Sequence, residues 1–135
     1  MDFPTMLRDH NMKVTPQRLE ILISLEYRGH ANVEQIHSDL QKSNPAMSLT
    51  TIYRNINEMM KNALVLEVKL PNQKQKYEII KKPHIHLSCD HCGSVMDAFI
   101  DTKAIFSSVE ANFDCNIIDD AIVLNVLCKD CKNNN

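Results

Sequence analysis

The sequence predicts an α+β chain in two parts: an N-terminal winged helix-turn-helix and a small C-terminal α/β module. Three observations lead there. Apolar residues recur at helical spacing as far as Met59, then alternate at strand spacing from Leu64. A polar turn carrying Lys74 and Lys76 separates two such strands, as in a wing. Charge then reverses along the chain: residues 1–82 hold 12 Lys and Arg against 9 Asp and Glu (+3), whereas residues 83–135 hold 3 against 8 (−5). That asymmetry suits a basic binding module joined to an acidic assembly or sensing module. The expected boundaries are 1–80, a hinge at 81–83 (Lys81-Lys82-Pro83), and 84–135.

Thr15 is an N-cap with Pro16 at the first helical position, and Leu19, Leu22, Ile23 and Leu25 form the apolar stripe that Gly29 ends. Asn32 caps a second helix, with Val33, Ile36 and Leu40 inward. Ser48 caps a third, in which Ile52, Ile56 and Met59 form the buried face and Thr50, Arg54 and Asn57 recur on the opposite one. Residues 64–70 then read as a strand with Leu64, Leu66, Val68 and Leu70 on one face, followed by a turn from Pro71-Asn72 and a second strand over 77–80. Beyond the hinge, strands are expected at 84–88 and 95–100, a helix at about 101–113 and a β-branched strand over 117–127. The tail 132–135 is expected to be disordered.

At 135 residues and 44% hydrophobic, the chain can bury a real core. The N-terminus lacks a signal peptide's apolar region, and no apolar run is long enough to span a bilayer, so no membrane role and a cytoplasmic location are expected. In a reducing compartment, cysteines paired at x2 spacing are metal ligands more often than disulfides. Cys89-Asp-His-Cys92 and Cys128-Lys-Asp-Cys131 offer four thiolates, the ligand set of a closed tetrahedral structural zinc site. The 35 residues between the knuckles exceed the spacing of a compact zinc ribbon, roughly 15–20 residues, so the metal would clamp two elements distant in sequence. Cys115 has no partner at that spacing and is expected to be a buried structural thiol.

His84-Ile-His86 places two imidazoles on one face of a strand, a start toward a nitrogen/oxygen site for a labile, redox-capable divalent metal. His30, Glu78, Asp97, His10, His37 and His91 are further candidates among which periodicity does not choose, and exposed strand histidines are the bland reading of the pair. Zinc deaminase chemistry needs H-x-E and P-C-x-x-C, and both are missing. A CxxC redox enzyme is the alternative of another class, although neither pair opens a βαβ unit. The third helix, through Ser48, Thr50, Thr51, Tyr53, Arg54 and Asn57, is chemically suited to the DNA major groove, with Arg addressing guanine and Asn adenine. Lys13 and Arg18 at the helix entry and Lys74 and Lys76 on the wing complete the candidate DNA-binding set. Modules of this kind bind as dimers.

TPQR at 15–18, SLTTIYRNI at 48–56, HIHLSCDHCG at 84–93 and CKDC at 128–131 stand in the order of the ferric uptake regulator family, which the whole chain resembles. The resemblance implies a homodimeric, metal-dependent repressor of palindromic operator DNA: a winged-helix DNA-binding domain followed by an α/β dimerisation domain. It implies structural zinc at Cys89, Cys92, Cys128 and Cys131. It also implies a regulatory site for ferrous iron or manganese, whose ligands fall on His30 (in GHANVEQIH), Glu78 (in QKYEI), His84, His86 and Asp97 (in GSVMDAF). His10, His37 and His91 are left as surface residues.

Asp97 matches the peroxide-responsive branch of the family, since iron-uptake sensors typically carry Glu there. Pro83 and Ile85, beside the His-x-His histidines, cannot supply the side chains of a further site common in iron-uptake sensors. Glu78 departs from the Asp of well-known peroxide sensors and keeps the alternative, an iron-responsive repressor, open. On the peroxide reading, His30 or His84 gains oxygen when iron meets hydrogen peroxide, manganese supports repression without that reaction, and the zinc stays inert. The resemblance implies a regulator and not an enzyme.

Overall fold

The computed structural model describes residues 2–71 and 73–134 and divides the chain into two compact units, Met1–Lys81 and Lys82–Asn135. The first unit begins with a helix that sequence patterning did not anticipate. In α1 (Phe3–Asp9), Asp2 caps the first turn by accepting from Thr5 N at 3.2 Å and Thr5 Oγ1 at 2.6 Å, and Phe3 and Leu7 face inward one turn apart. Its seven residues are too few for the periodicity to stand out.

In α2 (Pro16–Arg28), Thr15 Oγ1 accepts from Arg18 N, and Gly29, at φ +75°, closes the helix by donating to Leu25 O at 2.8 Å. That backbone conformation strains any L side chain, which is why a glycine stops the helix here. A capping box formed by Asn32 and Gln35 opens α3 (Val33–Leu40), and Ser48 caps α4 (Leu49–Lys61) through Thr51 N at 3.1 Å. The inward faces of these helices meet in one core containing Leu7, Ile21, Leu22, Leu25, Ile36, Ile52, Ile56 and Met59.

Strands β1 (Val65–Val68) and β2 (Lys76–Ile79) form an antiparallel ribbon, held against the α2–α3 connection by paired backbone bonds between Ala31 and Tyr77 at 2.8 and 3.1 Å. The ribbon is shorter than expected, and its inward face is not the strict alternation anticipated. Val65 is buried, whereas Leu66 is 39% exposed. A two-stranded ribbon twists strongly, so a face that points inward at one end has rotated two residues later. Asn72, placed in the expected turn, lies outside the described residues.

A partly exposed ion pair ties α2 to α3. Arg28 Nε and Nη2 each donate to the Asp39 carboxylate at 2.7 Å, and Ser24 Oγ donates to the same group at 2.7 Å. The Arg28 guanidinium, helped by Ser24, holds Asp39 below its ordinary value of 3.8. A depressed carboxylate value means that the contribution to folding is present above the unfolded value and is lost as pH falls through the folded one. Asp39→Asn should therefore cost about 1 kcal/mol at pH 7, a bidentate but partly exposed pair. Urea unfolding should show that difference shrinking as pH falls below the ordinary value of 3.8 and through the lower folded one, where the carboxylate is neutralised.

The second unit is a three-stranded sheet in the order β4-β3-β5, with two helices. β3 (Ile85–Cys89) and β4 (Val95–Ala98) are an antiparallel hairpin turned at the first knuckle, where Gly93 adopts φ +75° and donates to Cys89 O at 2.9 Å. After α5 (Lys103–Phe113), β5 (Val123–Val126) returns parallel to β3, and α6 (Lys129–Asn133) begins at the second knuckle. The strand expected over 117–127 forms only at 123–126, where it pairs with the five-residue β3, and Ile122 O just before it accepts from His86 N at 3.0 Å. The tail expected to be disordered is largely helical through Asn133, with Lys132 N donating to Cys128 O at 2.8 Å; Asn135 lies outside the described residues. Cys115 is exposed, not buried, with its thiol donating to Val109 O at 3.8 Å.

No residue of α5 is buried. Ile105, Phe113, Leu124 and Leu127 are between 44% and 76% exposed, so this unit leaves much of its apolar surface uncovered in a single chain. Among the described residues no helix is long and apolar enough to cross a membrane.

Candidate metal centres and nucleic-acid face

The parallel pairing of β3 with β5 brings the two knuckles together. Cys89 ends β3 opposite Val126, two residues before Cys128, and the four sulfurs of Cys89, Cys92, Cys128 and Cys131 lie within 4.8 Å of one another. Cys128 N donates to Cys89 Sγ at 3.4 Å, a backbone bond that favours thiolate over thiol. Backbone N–H groups of Cys92 and Cys128 draw the Cys89 value down to about 6, and the Ser94 hydroxyl, 3.1 Å from Cys92 Sγ, lowers that of Cys92. Cys131, beside the Cys128 sulfur, is pushed up to about 12. Four sulfurs converging on one point repel one another as anions unless a cation sits among them. A redox dithiol needs only one pair, whereas here both knuckles supply ligands to the same point. This donor set fits a closed tetrahedral zinc.

The nitrogen and oxygen donors fall into two groups, one in each unit. In the first unit, His30 Nε2 lies 3.2 Å from Glu78 Oε2, the two side chains being 9% and 1% exposed. His30 follows the glycine that ends α2, and Glu78 sits on β2 directly after Tyr77, whose bridge to Ala31 sets the two side by side. Lys81 Nζ is 3.6 Å from the same carboxylate oxygen.

In the second unit, His86 and Asp97 are directly opposed in the β3–β4 register and so share a face of the sheet. His84 Nε2 is 3.1 Å from His86 Nε2, and each lies 3.5 Å from Asp97 Oδ1. His84 Nδ1 donates to Lys82 O at 2.9 Å. A carbonyl only accepts, so the proton of neutral His84 sits on Nδ1 and its Nε2 lone pair points toward His86 and Asp97. Sequence reasoning had no means of finding the Lys82 carbonyl, a backbone atom. Of the histidines left as surface residues, His91 is exposed, but His10 donates from Nδ1 to Asn62 O at 2.8 Å and His37 Nε2 accepts from Gln41 at 2.9 Å.

On α4, Ile52, Ile56 and Met59 are buried, and Ser48, Thr50, Tyr53, Arg54 and Asn57 are exposed together on the outer side. Thr51 is half-buried and bonded to Ser48, its hydroxyl 3.1 Å from the Ser48 hydroxyl. Lys13 is exposed. Lys74, at the wing, is paired with Glu34 at 3.1 Å, and Lys76 is half-buried on β2. Arg18 is half-buried and bonded within the protein.

The sequence pattern of the Ferric uptake regulator family matches residues 9–124. The chain belongs to this family. The peroxide-responsive repressor PerR of Staphylococcus saprophyticus is 26% identical over 133 residues, covering 97% of this chain and 90% of that protein. Among solved structures, the Campylobacter jejuni peroxide stress regulator superposes with a TM-score of 0.74 at 33% identity, over 97% of this chain and all of that one. The Vibrio cholerae ferric uptake regulator gives a TM-score of 0.77 at 25% identity, over 94% of this chain and 100% of its own. As a member of the ferric uptake regulator family, the protein is a metal-responsive transcriptional regulator with a winged-helix N-terminal unit and an α/β C-terminal unit.

Proposed function

We propose that the protein is a peroxide-responsive repressor that acts as a homodimer on palindromic operator DNA, stapled by zinc at Cys89, Cys92, Cys128 and Cys131. Its regulatory ion, ferrous iron or manganese, is held by His30, Glu78, His84, His86 and Asp97. The observation that carries this reading is the register of Asp97 opposite His86, with His84 beside them. Three donors already converge there, and the short carboxylate at Asp97 is the one that the peroxide-responsive branch carries. Similarity to two peroxide regulators supports the same choice.

The donor chemistry fits: three imidazoles and two carboxylates suit iron or manganese better than a soft, thiolate-seeking metal. Ferrous iron held by these residues would supply the redox chemistry by which hydrogen peroxide oxidises a ligand, which manganese would not. At the protein the change balances: an imidazole C–H becomes C–O, one peroxide oxygen enters the ring of His30 or His84, and the other leaves as water. The modified ring is a poorer donor. Because His30 and Glu78 belong to the first unit and His84, His86 and Asp97 to the second, ligation by all five couples the ion to the placement of α4. That is the two-state element an allosteric repressor needs. The apolar surface left on α5 and β5 is the natural seat of the second copy.

The test compares zinc-containing dimer loaded without oxygen with ferrous iron or with manganese, each given near-stoichiometric hydrogen peroxide. DNA-binding anisotropy and peptide mass spectrometry then report the outcome. Loss of binding only in the iron form, with one oxygen added to the His30 or His84 peptide, is expected. Iron-form binding that survives with unmodified histidines would instead establish an iron-level sensor, the reading that Glu78 keeps open.

Arg54, exposed mid-way along the outer face of α4, is the side chain best placed to read a base edge. Arg54→Ala should weaken operator binding by about 1–3 kcal/mol and relax specificity at one base pair. Equal affinity for every operator variant would remove Arg54 from the reading set.

A further inference from the structure

Arg18 stands at the entry of α2, where a cation invites the reading of a phosphate contact, yet its guanidinium is engaged within the protein. Nε donates to Asn55 Oδ1 at 3.2 Å, and Nη1 donates to Lys13 O at 2.9 Å. Asn55 lies on α4, and its own amide nitrogen donates to Thr51 O at 2.9 Å, one turn back. The amide is thereby oriented unambiguously, with oxygen toward Arg18 and nitrogen toward the helix backbone. Three segments are joined through one planar group: the loop at Lys13, the first turn of α2 and the middle of α4. Asn55 sits between the buried Ile52 and Ile56 and the exposed Arg54 and Asn57, so a bond to its side chain fixes the rotation of α4 about its own axis.

We infer that Arg18 is a positioning residue. It holds the exposed face of α4 and the backbone of Lys13 in one register, and it acts on DNA through Asn55 rather than by touching phosphate. The inference rests on the reading of α4 as the DNA-recognition helix. The guanidinium serves the two acceptors from separate nitrogens, Nε and Nη1, fixed in one plane, an arrangement that the N–H groups on the single nitrogen of an ammonium do not reproduce.

That difference defines the experiment. The probe is a duplex selected from a randomised library by the manganese-loaded wild-type dimer, and affinity is measured across a range of salt concentrations. Arg18→Lys, Arg18→Ala and Asn55→Ala should each weaken binding by about tenfold, and the Arg18→Ala/Asn55→Ala pair should lose no more than either alone. The slope of log affinity against log salt should stay at the wild-type value in all of them. A phosphate contact gives the opposite pattern: Arg18→Lys near wild type, Asn55→Ala unaffected, and a slope smaller by about 0.9 for Arg18→Ala. Any one of these three results would overturn the inference.

In the free protein, the Arg18 Nε–H proton should give a slowly exchanging NMR signal that disappears in Asn55→Ala, with thermal unfolding confirming that the variant is folded. A signal that is unchanged in Asn55→Ala sinks the strut even if DNA binding is never found. A wild-type dimer that selects no duplex sinks the DNA-recognition reading while leaving the NMR result to judge the strut.

Discussion

Replacing Cys89 with serine should yield a protein that retains no zinc, sediments as a monomer and has an unfolded C-terminal unit, while the N-terminal helices persist. The reason lies in how little else holds that unit together. Its buried hydrophobic residues are Ile85 and Cys89 itself, and α5 buries none. The first unit, by contrast, has a continuous core from Phe3 to Ile79. Structural zinc contributes an apparent 10–16 kcal/mol in small zinc-dependent domains, roughly, more than this sheet can supply by burial. Metal content, sedimentation and circular dichroism would show the loss together. Since Cys131 is held protonated up to about 12 without a cation, zinc uptake at neutral pH should also release protons to the buffer. A Cys89→Ser protein that remains a zinc-containing dimer would contradict the four-thiolate staple.

The second large effect is expected at His86. His86→Ala should keep zinc and the dimer, because His86 lies on the β3 face shared with Asp97 and outside the sulfur cluster. It should nonetheless lose manganese-dependent DNA binding. Coupling free energies between an effector site and a binding site typically correspond to 5–150-fold, roughly, and removing one of the five proposed ligands should forfeit most of that range. Anisotropy with and without manganese measures it directly: the variant's two curves should coincide at the weak, metal-free affinity. A variant that still tightens on DNA with manganese would place the regulatory ion elsewhere.

Helices α2, α3 and α4 of the first unit were legible because their instructions are local. Thr15-Pro16, Asn32 with Gln35, and Ser48 each satisfy the N–H groups of the turn they precede, and Gly29 ends α2 with a φ that disfavours other residues. The period-three-and-four stripe of Ile52, Ile56 and Met59 needed no partner to be seen. Where the reading failed, the deciding contact was distant or absent. Leu66 alternates correctly on paper, but the ribbon's twist exposes it. The run 117–127 is rich in β-branched residues, yet only the part beside β3 becomes strand. Cys115 was assigned to the interior on residue type alone, and the chain places it outside.

The residue types and spacings of the sequence by themselves determined what chemistry is available: two thiolate pairs, a His-x-His strand and an exposed polar face on α4. Tertiary structure alone decided which of those groups meet. The parallel return of β5 alongside β3 draws knuckles 35 residues apart onto one point, and the hairpin register sets Asp97 opposite His86. The Ala31–Tyr77 bridge does the same for His30 and Glu78. Caps and periodicities are written in neighbouring residues, whereas strand pairing depends on which distant segments bury each other's surface, and no short window of sequence contains both partners.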